Sequence, residues 1–407
     1  MSASPLSASS LASLGPRASL ASLAFVACAL VACGSPAGPT PESVDLAAAP
    51  DDSLAAASAE ALTRNDVSIL FPSPTTPAAS ALLWSASLEG LGGPLLPKSE
   101  FARNTFSLTR ELDDDLEYDA LRVVAVRFDP CFKTSLAGPC QPQVRLVWQA
   151  PDPNDPPKGF LDGAVHSLYA VPDAALPALV AELRRLAPLA PENTALAPLG
   201  VSPALAARGL DSDYARGLKA LVLRHAGAGS LVRVTFMTRT FARSGQWQFA
   251  GFHVGPNSAK IEIAGLGGLT QQNVTREIAH GFEYVVHPKF IDPAAGQASS
   301  SSALTALDPA ARADIHAWAL RQEDPEVLLP DTTDCASCHL ANHVGRHLES
   351  LDPSLLTSEP VARRGPRTLS LAETDADNLR AFGYFGPYPQ VSQRVANETE
   401  AVLAALR

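Results

Sequence analysis

Apolar and polar residues alternate along several stretches of the first two thirds of the chain, which is the pattern of strands with one buried face. Val144, Leu146 and Trp148, for example, fall on one side of an extended segment, with Arg145 and Gln149 on the other. Alternation and runs of β-branched and aromatic residues predict strands at 67–71, 82–88, 121–128, 144–149, 166–171, 231–240, 247–254 and 260–264.

Elsewhere apolar residues recur every three or four positions, as on the buried face of a helix. Leu179 and Leu183 belong to a helix that follows Pro172-Asp173, and Asp211-Ser212-Asp213 opens a second helix. Beyond a serine-rich linker, helices are predicted at about 303–322, 335–350, 373–381 and 391–406. We therefore expect an α+β fold: a β-rich α+β body over residues 65–293, followed by a small helical C-terminal module over residues 303–407.

The beginning of the chain has the pattern of an export signal. An apolar run extends from Ala18 to Ala32 and is shorter than the ~20 residues that a membrane-spanning helix needs, which favours a signal peptide over residues 1–32. Its end, Leu30-Val31-Ala32-Cys33, resembles the lipobox of bacterial lipoproteins. The resemblance implies that the thiol of Cys33 receives a lipid and that this residue becomes the new N-terminus. The alternative is an ordinary secretory signal, and Cys28 is a competing cysteine.

The segment after the signal, residues 33–64, is rich in Pro, Ala and Ser, which predicts a flexible tether between a lipid anchor and the body. Gly34 directly after Cys33 is not an evident inner-membrane retention signal, which favours the outer membrane, on its periplasmic or surface face. The membrane, reached through this lipid, is thus one expected partner.

Composition argues against one class of partner. The chain has 31 Lys and Arg against 42 Asp and Glu, for a net charge of −11. Nucleic-acid binding needs a basic footprint, and neither the balance nor any basic run supplies one. We expect no nucleic-acid partner.

Four of the six cysteines form two close pairs beyond the signal. Cys131 and Cys140 lie between two predicted strands, next to the turn formers Asp129-Pro130 and Gly138-Pro139. In an exported chain this arrangement predicts a disulfide across a hairpin, although two unlinked or metal-binding thiols are an alternative.

The second pair belongs to Cys335-Ala336-Ser337-Cys338-His339, which has the C-x-x-C-H spacing of c-type haem attachment. On the first turn of a helix, two such thiols can form thioethers to both haem vinyl groups, and the adjacent histidine ligates the iron from below. The segment resembles a single-haem cytochrome c site, which implies one covalent haem c on Cys335 and Cys338 with His339 as proximal ligand. Electron transfer or redox sensing with an unknown redox partner follows, rather than enzymatic catalysis, although peroxidase-like chemistry is possible at an open haem.

Two other interpretations of this segment stay open. One is a plain disulfide between Cys335 and Cys338, and the other is a zinc site completed by histidines from His339, His343 and His347. Either would make the chain a non-redox structural or binding lipoprotein.

The distal iron position has no ready ligand. Small cytochromes c usually supply a methionine after the motif, but here the last methionine, Met237, precedes it within a predicted strand. We expect either five-coordinate iron or a ligand from an upstream histidine, with His316, His287 and His280 as candidates. Without methionine ligation the reduction potential should be comparatively low.

The segment Asp334-Cys335-Ala336-Ser337-Cys338-His339-Leu340, with the tail Phe382-Gly383-Tyr384-Phe385-Gly386, is also similar to uncharacterised exported bacterial lipoproteins. That resemblance brings no activity with it. No G-x-S-x-G or H-E-x-x-H pattern is present, so a hydrolase has no support.

Overall fold

The computed structural model describes most of the chain beyond the predicted tether. The described residues fall in one compact unit, Ala57–Arg407. They are 61–102, 118–133, 138–152, 156–240, 246–255, 259–260, 262–263, 268–269, 272–277, 283–286, 301–329, 332–333, 335–357 and 381–407. The predicted signal peptide, the Cys33 lipidation site and nearly all of the tether therefore lie outside the described residues.

The fold is α+β, as predicted, with an antiparallel sheet first and most helices later in the chain. The described strands are β1 Ser68–Leu70, β2 Glu89–Gly90, β3 Gly93–Pro94, β4 Arg122–Phe132, β5 Gln141–Gln149, β6 Ala164–Ala170, β7 Leu231–Thr240, β8 Gln246–His253, β9 Ala259–Lys260, β10 Glu262–Ile263, β11 Gly268–Leu269, β12 Gln272–Glu277, β13 Glu283–Val286, β14 Phe382–Phe385 and β15 Tyr388–Val391. The described helices are α1 Arg64–Val67, α2 Pro77–Leu82, α3 Leu176–Leu186, α4 Pro203–Arg208, α5 Asp213–His225, α6 Ser301–Ala306, α7 Pro309–Glu323, α8 Cys335–Leu351 and α9 Gln393–Ala405.

The main sheet has the strand order β1-β4-β5-β6-β7-β8-β12-β13, with β9 paired to β8. Every neighbouring pair along this path is antiparallel. From β4 to β8 each strand pairs with the next strand along the chain, although helices α3, α4 and α5 lie between β6 and β7. The central strands thus form an antiparallel sheet with one apolar face and one face that is polar at its centre.

One face of the sheet holds the main apolar core. Leu146 and Trp148 of β5 are buried there together with Val165 and Val234 of the adjacent strands. Helices α3 and α5 cover this face with amphipathic stripes that include Leu183. The apolar residues that alternate along the strands and those that recur every three or four positions along the helices therefore pack in a single core.

The opposite face is polar at its centre. Arg127 lies directly opposite Arg145 in the register of β4 and β5, and His166 of β6 lies between Val147 and Thr235. Directly opposed residues share a face of the sheet, and so do residues two apart on one strand. These side chains therefore belong to one face. Helix α9 contacts β4, and helix α8 contacts β8 and β12.

A second apolar cluster joins the helices of the C-terminal part to the sheet. Met237 and Phe249 of the sheet pack in it with Trp318 of α7 and with Leu340 and Leu348 of α8. This contact fixes the beginning of α8 against strands β7 and β8, because α8 is anchored along its apolar stripe.

The hairpin β14–β15 is an element that the sequence analysis did not predict. The side-chain amide of Gln149 bonds both to the backbone oxygen of Tyr384, at 3.0 Å, and to its backbone N–H, at 2.7 Å. The Tyr384 hydroxyl donates to the Phe71 carbonyl oxygen. Phe382 and Tyr384 thereby join the main apolar core, so residues of the predicted body and of the predicted C-terminal module pack together.

Most of the predicted strands and helices are present, with two exceptions. The strand predicted at 82–88 is wrong: α2 ends at Leu82, and the following residues form turns before the short hairpin β2–β3. The helix predicted at 373–381 lies outside the described residues except at its last position. Within the described part of the chain, no helix is both long and apolar enough to cross a membrane.

Candidate cofactor site

The C-x-x-C-H motif begins helix α8 at Cys335. Cys338 and His339 follow on the first turn and the start of the next, and all three residues are half-buried. The two cysteines are not joined by a disulfide bond, whereas Cys131 and Cys140 are, which is the pairing expected from the sequence. The structure therefore brings two thiols and an imidazole together at one end of one helix.

These three residues open onto a cavity of about 170 Å³, here called the central cavity. It lies between the polar face of the sheet and the elements α8, β14 and α9. Its lining consists of Arg127, Arg145, Val147, His166, Arg233, Thr235, Thr333, Cys335, Cys338, His339, Ala381, Phe382, Arg394, Val395 and Glu398. The motif thus faces an interior space with both apolar and strongly basic walls.

A smaller cavity of about 40 Å³ adjoins the first and shares His166, Cys335 and His339 with it. On this side the His339 ring packs against the ring of Phe249, with centroids 4.9 Å apart and planes inclined by 45°. Met237 also lines this cavity. The His339 imidazole is therefore held against an aromatic wall of the sheet.

The basic wall is organised around the carboxylate of Glu398 on α9. Arg127 Nη1 donates to its Oε2 at 2.5 Å, and Arg394 Nε donates to its Oε1 at 2.7 Å. Arg145 Nη1 lies 3.9 Å from Oε2. Burial alone would raise the pKa of Glu398, but the three guanidinium groups outweigh it and lower the pKa to about 2. The carboxylate is therefore ionised throughout the physiological range.

Asp129 lies two residues after Arg127 on β4, and its pKa shifts in the opposite direction to that of Glu398. Burial raises the pKa of its carboxyl in spite of Arg127 and Arg145. The backbone N–H of Cys131 donates to Asp129 Oδ1 at 3.0 Å, so this carboxyl also supports the start of the disulfide-linked turn.

Of the three predicted distal ligands, His316 is among the described residues. His316 is buried in α7, where its Nε2 lies 3.1 Å from Oε1 of Glu349, and it does not line the central cavity. His280 and His287 are outside the described residues. His166 on β6 lines both cavities beside His339, and Met237 lines the smaller one. Sequence reasoning overlooked His166, whose position becomes visible only once β5, β6 and β7 are paired.

The donor set fits covalent haem attachment, since both thiols and the imidazole line the same cavity. The volume fits in part: 170 Å³ is below the ~300–1,000 Å³ of pockets that enclose a whole drug-sized ligand. A haem held here would therefore keep part of its ring outside the space that the described residues enclose. Among those residues, no group of three or more His, Cys, Asp and Glu side chains is arranged to hold a metal ion.

Comparisons of the chain with protein families, with curated proteins and with solved structures each found no match. We therefore infer function from the residues of the site and their chemistry.

Proposed function

We propose that the chain is an exported, lipid-anchored protein that carries one c-type haem and acts in electron transfer or redox sensing. Cys335 and Cys338 would hold the haem by thioether bonds, with His339 as the proximal iron ligand. One observation supports this most: the two thiols and the imidazole begin the same helix and line the same cavity. When bound, haem supplies an iron that gains or loses one electron.

The chain's own residues would position and shield the ligand. Contact with Phe249 restricts rotation of the His339 ring, which keeps the imidazole directed at one place. Val147, Phe382 and Val395 form an apolar part of the cavity wall. An apolar surround of this kind modulates the reduction potential of a bound iron.

The attachment test uses the two cysteine pairs of the chain as each other's control. The wild type, a Cys335→Ser/Cys338→Ser variant and a Cys131→Ser/Cys140→Ser variant are expressed with cytochrome c maturation machinery, denatured, and stained in a gel for haem peroxidase activity. We expect stain in the wild type and in the second variant and none in the first. A colourless wild type, or equal stain in all three, contradicts the proposal; the former favours a non-redox binding protein.

The anchor is tested separately by Cys33→Ser, with Cys28→Ser as the matched control. Lipidation at Cys33 predicts that the wild type and the control partition into a detergent phase, because several acyl chains make anchoring stable. The Cys33→Ser variant should lack lipid, seen as the loss of incorporated radiolabelled palmitate. Incorporation that survives in this variant would refute the assignment.

A further inference from the structure

Four arginines line the central cavity: Arg127, Arg145, Arg233 and Arg394, here called the arginine cluster. Three of them come from strands β4, β5 and β7, on the same face of the sheet, and the fourth comes from α9. Glu398 is the one carboxylate among the described residues of this lining. The wall therefore carries more positive than negative side chains.

The register of the sheet makes this concentration of charge unusual. Arg127 and Arg145 are directly opposed on antiparallel strands, where like charges destabilise the pairing. Glu398 contacts both, but it is a single carboxylate and it also accepts from Arg394. A second anion would lower the excess positive charge that Glu398 leaves.

Unused donor atoms point to the same conclusion. The Arg127 side chain is 2% exposed, yet no described residue accepts a hydrogen bond from its Nε or Nη2. The Nε of Arg145 is likewise buried without an acceptor among the described residues. Buried donors of a charged group are costly to leave unsatisfied, and an anion that accepts hydrogen bonds from them would remove that cost.

An aromatic ring helps to hold these donors in place. The guanidinium carbons of Arg145 and Arg233 lie 5.6 Å and 5.8 Å from the centroid of the Phe132 ring. Cation–π contacts of this length restrict the two side chains without consuming their N–H groups. Two of the four guanidinium groups are therefore held in place without a ligand.

We propose that the arginine cluster binds an oxyanion group, a carboxylate or a phosphate, through the unused N–H groups of Arg127 and Arg145. Guanidinium groups match the two oxygens of such anions in a bidentate manner. The anion has two sources: the propionate groups of a bound haem, or a free small anion. The site itself depends only on the arginines; its occupation by propionate rests on the proposed function.

The test is a thermal unfolding titration of the full chain at low ionic strength. Inorganic phosphate or succinate is added to the haem-free Cys335→Ser/Cys338→Ser variant, with chloride at matched ionic strength as the reference. We expect the Tm to rise by about 3–5 °C at a hundredfold excess over Kd. The rise should vanish when Arg145→Gln is added and persist when Arg208→Gln is added, since Arg208 pairs with Glu192 at the surface.

Arg145 is the first choice because its side chain is less buried than that of Arg127 and lies farther from Glu398, so its replacement disturbs the fold less. Arg127→Lys is the second variant: it keeps the charge but removes the planar N–H pair, and the rise should fall with it. No rise beyond that of chloride, or an equal rise in the Arg145→Gln protein, overturns the proposal.

The haem-bearing wild type identifies the source of the anion. If propionates occupy the cluster, added phosphate or succinate raises the Tm of the haem-free variant and leaves that of the haem-bearing protein unchanged. If a free anion is the ligand, both proteins respond. The titration of the haem-free variant tests the site whether or not haem attachment succeeds. The titration that identifies the source uses only wild-type protein whose absorption spectrum shows bound haem.

Discussion

Glu398 gives the most quantitative prediction, because three arginines from three elements converge on its carboxylate. We consider Glu398→Gln, which removes the charge and keeps the size of the side chain. In the folded chain, Arg127, Arg394 and Arg145 overcome the effect of burial and lower the pKa of Glu398 from its ordinary value of 4.5 to about 2. The folded state therefore favours the ionised form far more than the unfolded state does.

The interval between these two pKa values corresponds to about 3 kcal/mol, at 1.36 kcal/mol for each pH unit. A fifth of the Glu398 side chain is exposed, so screening by water reduces the expected contribution to about 2–3 kcal/mol. Because the folded pKa is depressed, this stability is fully present above pH 4.5 and is lost as the pH falls from 4.5 toward 2. Glu398→Gln should therefore cost most at neutral pH.

The assay is urea unfolding of wild type and variant at pH 7, 5, 4 and 3. Glu400→Gln on the same helix is the matched control. Within the described part of the chain Glu400 forms an ion pair with Arg64 only, so this substitution should cost less than ~1 kcal/mol. We expect the difference between wild type and Glu398→Gln to be constant from pH 7 to 5 and to shrink below that. If the two free energies of unfolding differ by less than about 1 kcal/mol at pH 7, or by as much at pH 3 as at pH 7, the ionised carboxylate of Glu398 does not stabilise the fold as described.

Three further predictions concern the cavity and the disulfide-linked turn between β4 and β5. His339→Ala should keep the haem attached through its thioethers but change the absorption spectrum of the ferric protein, since the proximal nitrogen is lost; an unchanged spectrum would argue against ligation by this residue. His166→Ala should alter the same spectrum, because His166 lines both cavities beside His339. Met237→Leu is a volume-conserving change in a packed cluster and should leave the spectrum unaltered. The reverse result would assign the distal position to methionine. Cys131→Ser/Cys140→Ser should lower the free energy of unfolding, measured by urea unfolding, by about 2–3 kcal/mol. This is the loop-closure entropy that a disulfide with a sequence separation of 9 removes from the unfolded chain. An unchanged free energy of unfolding would show that the bridge does not constrain the unfolded chain.

The central strands and the longer helices could be predicted because their patterns are strong and local. Val144, Leu146 and Trp148 alternate regularly, and β5 extends over them. Ser212 accepts a hydrogen bond from the Ala215 N–H at the start of α5, as the sequence Asp211-Ser212-Asp213 suggested. The apolar run at 82–88 misled because Leu83, Trp84 and Ala86 are buried in the main core, while the segment pairs with β4 only through the isolated bridge of Ser85 with Arg122.

The hairpin β14–β15 escaped prediction for a related reason. Its stability depends on Gln149 and Phe71, which are more than 200 residues away in sequence and bond to Tyr384. A local sequence pattern cannot indicate contacts with such distant residues. Two short strands with Gly383 and Gly386 also have the local sequence of a loop.

Part of the chemistry of the site could be predicted from the sequence. The motif from Cys335 to His339 is contiguous, so its spacing alone indicated two thiols and an imidazole on one turn. Arg127, Arg145 and His166 come from three strands, and only the register of the sheet places them in the same cavity. An arginine within an otherwise apolar strand was the available signal, but without the pairing it indicated no partner.

Covalent attachment of haem at the beginning of α8 can be measured by a pyridine haemochrome spectrum of the unfolded protein. The full chain is produced with the maturation machinery, extracted with acidic acetone, and denatured in alkaline pyridine. Two thioethers at Cys335 and Cys338 predict a spectrum of the c type, with one haem per chain, retained after extraction and absent from the Cys335→Ser/Cys338→Ser protein. Haem that acetone removes, or a wild type without haem, would contradict the account.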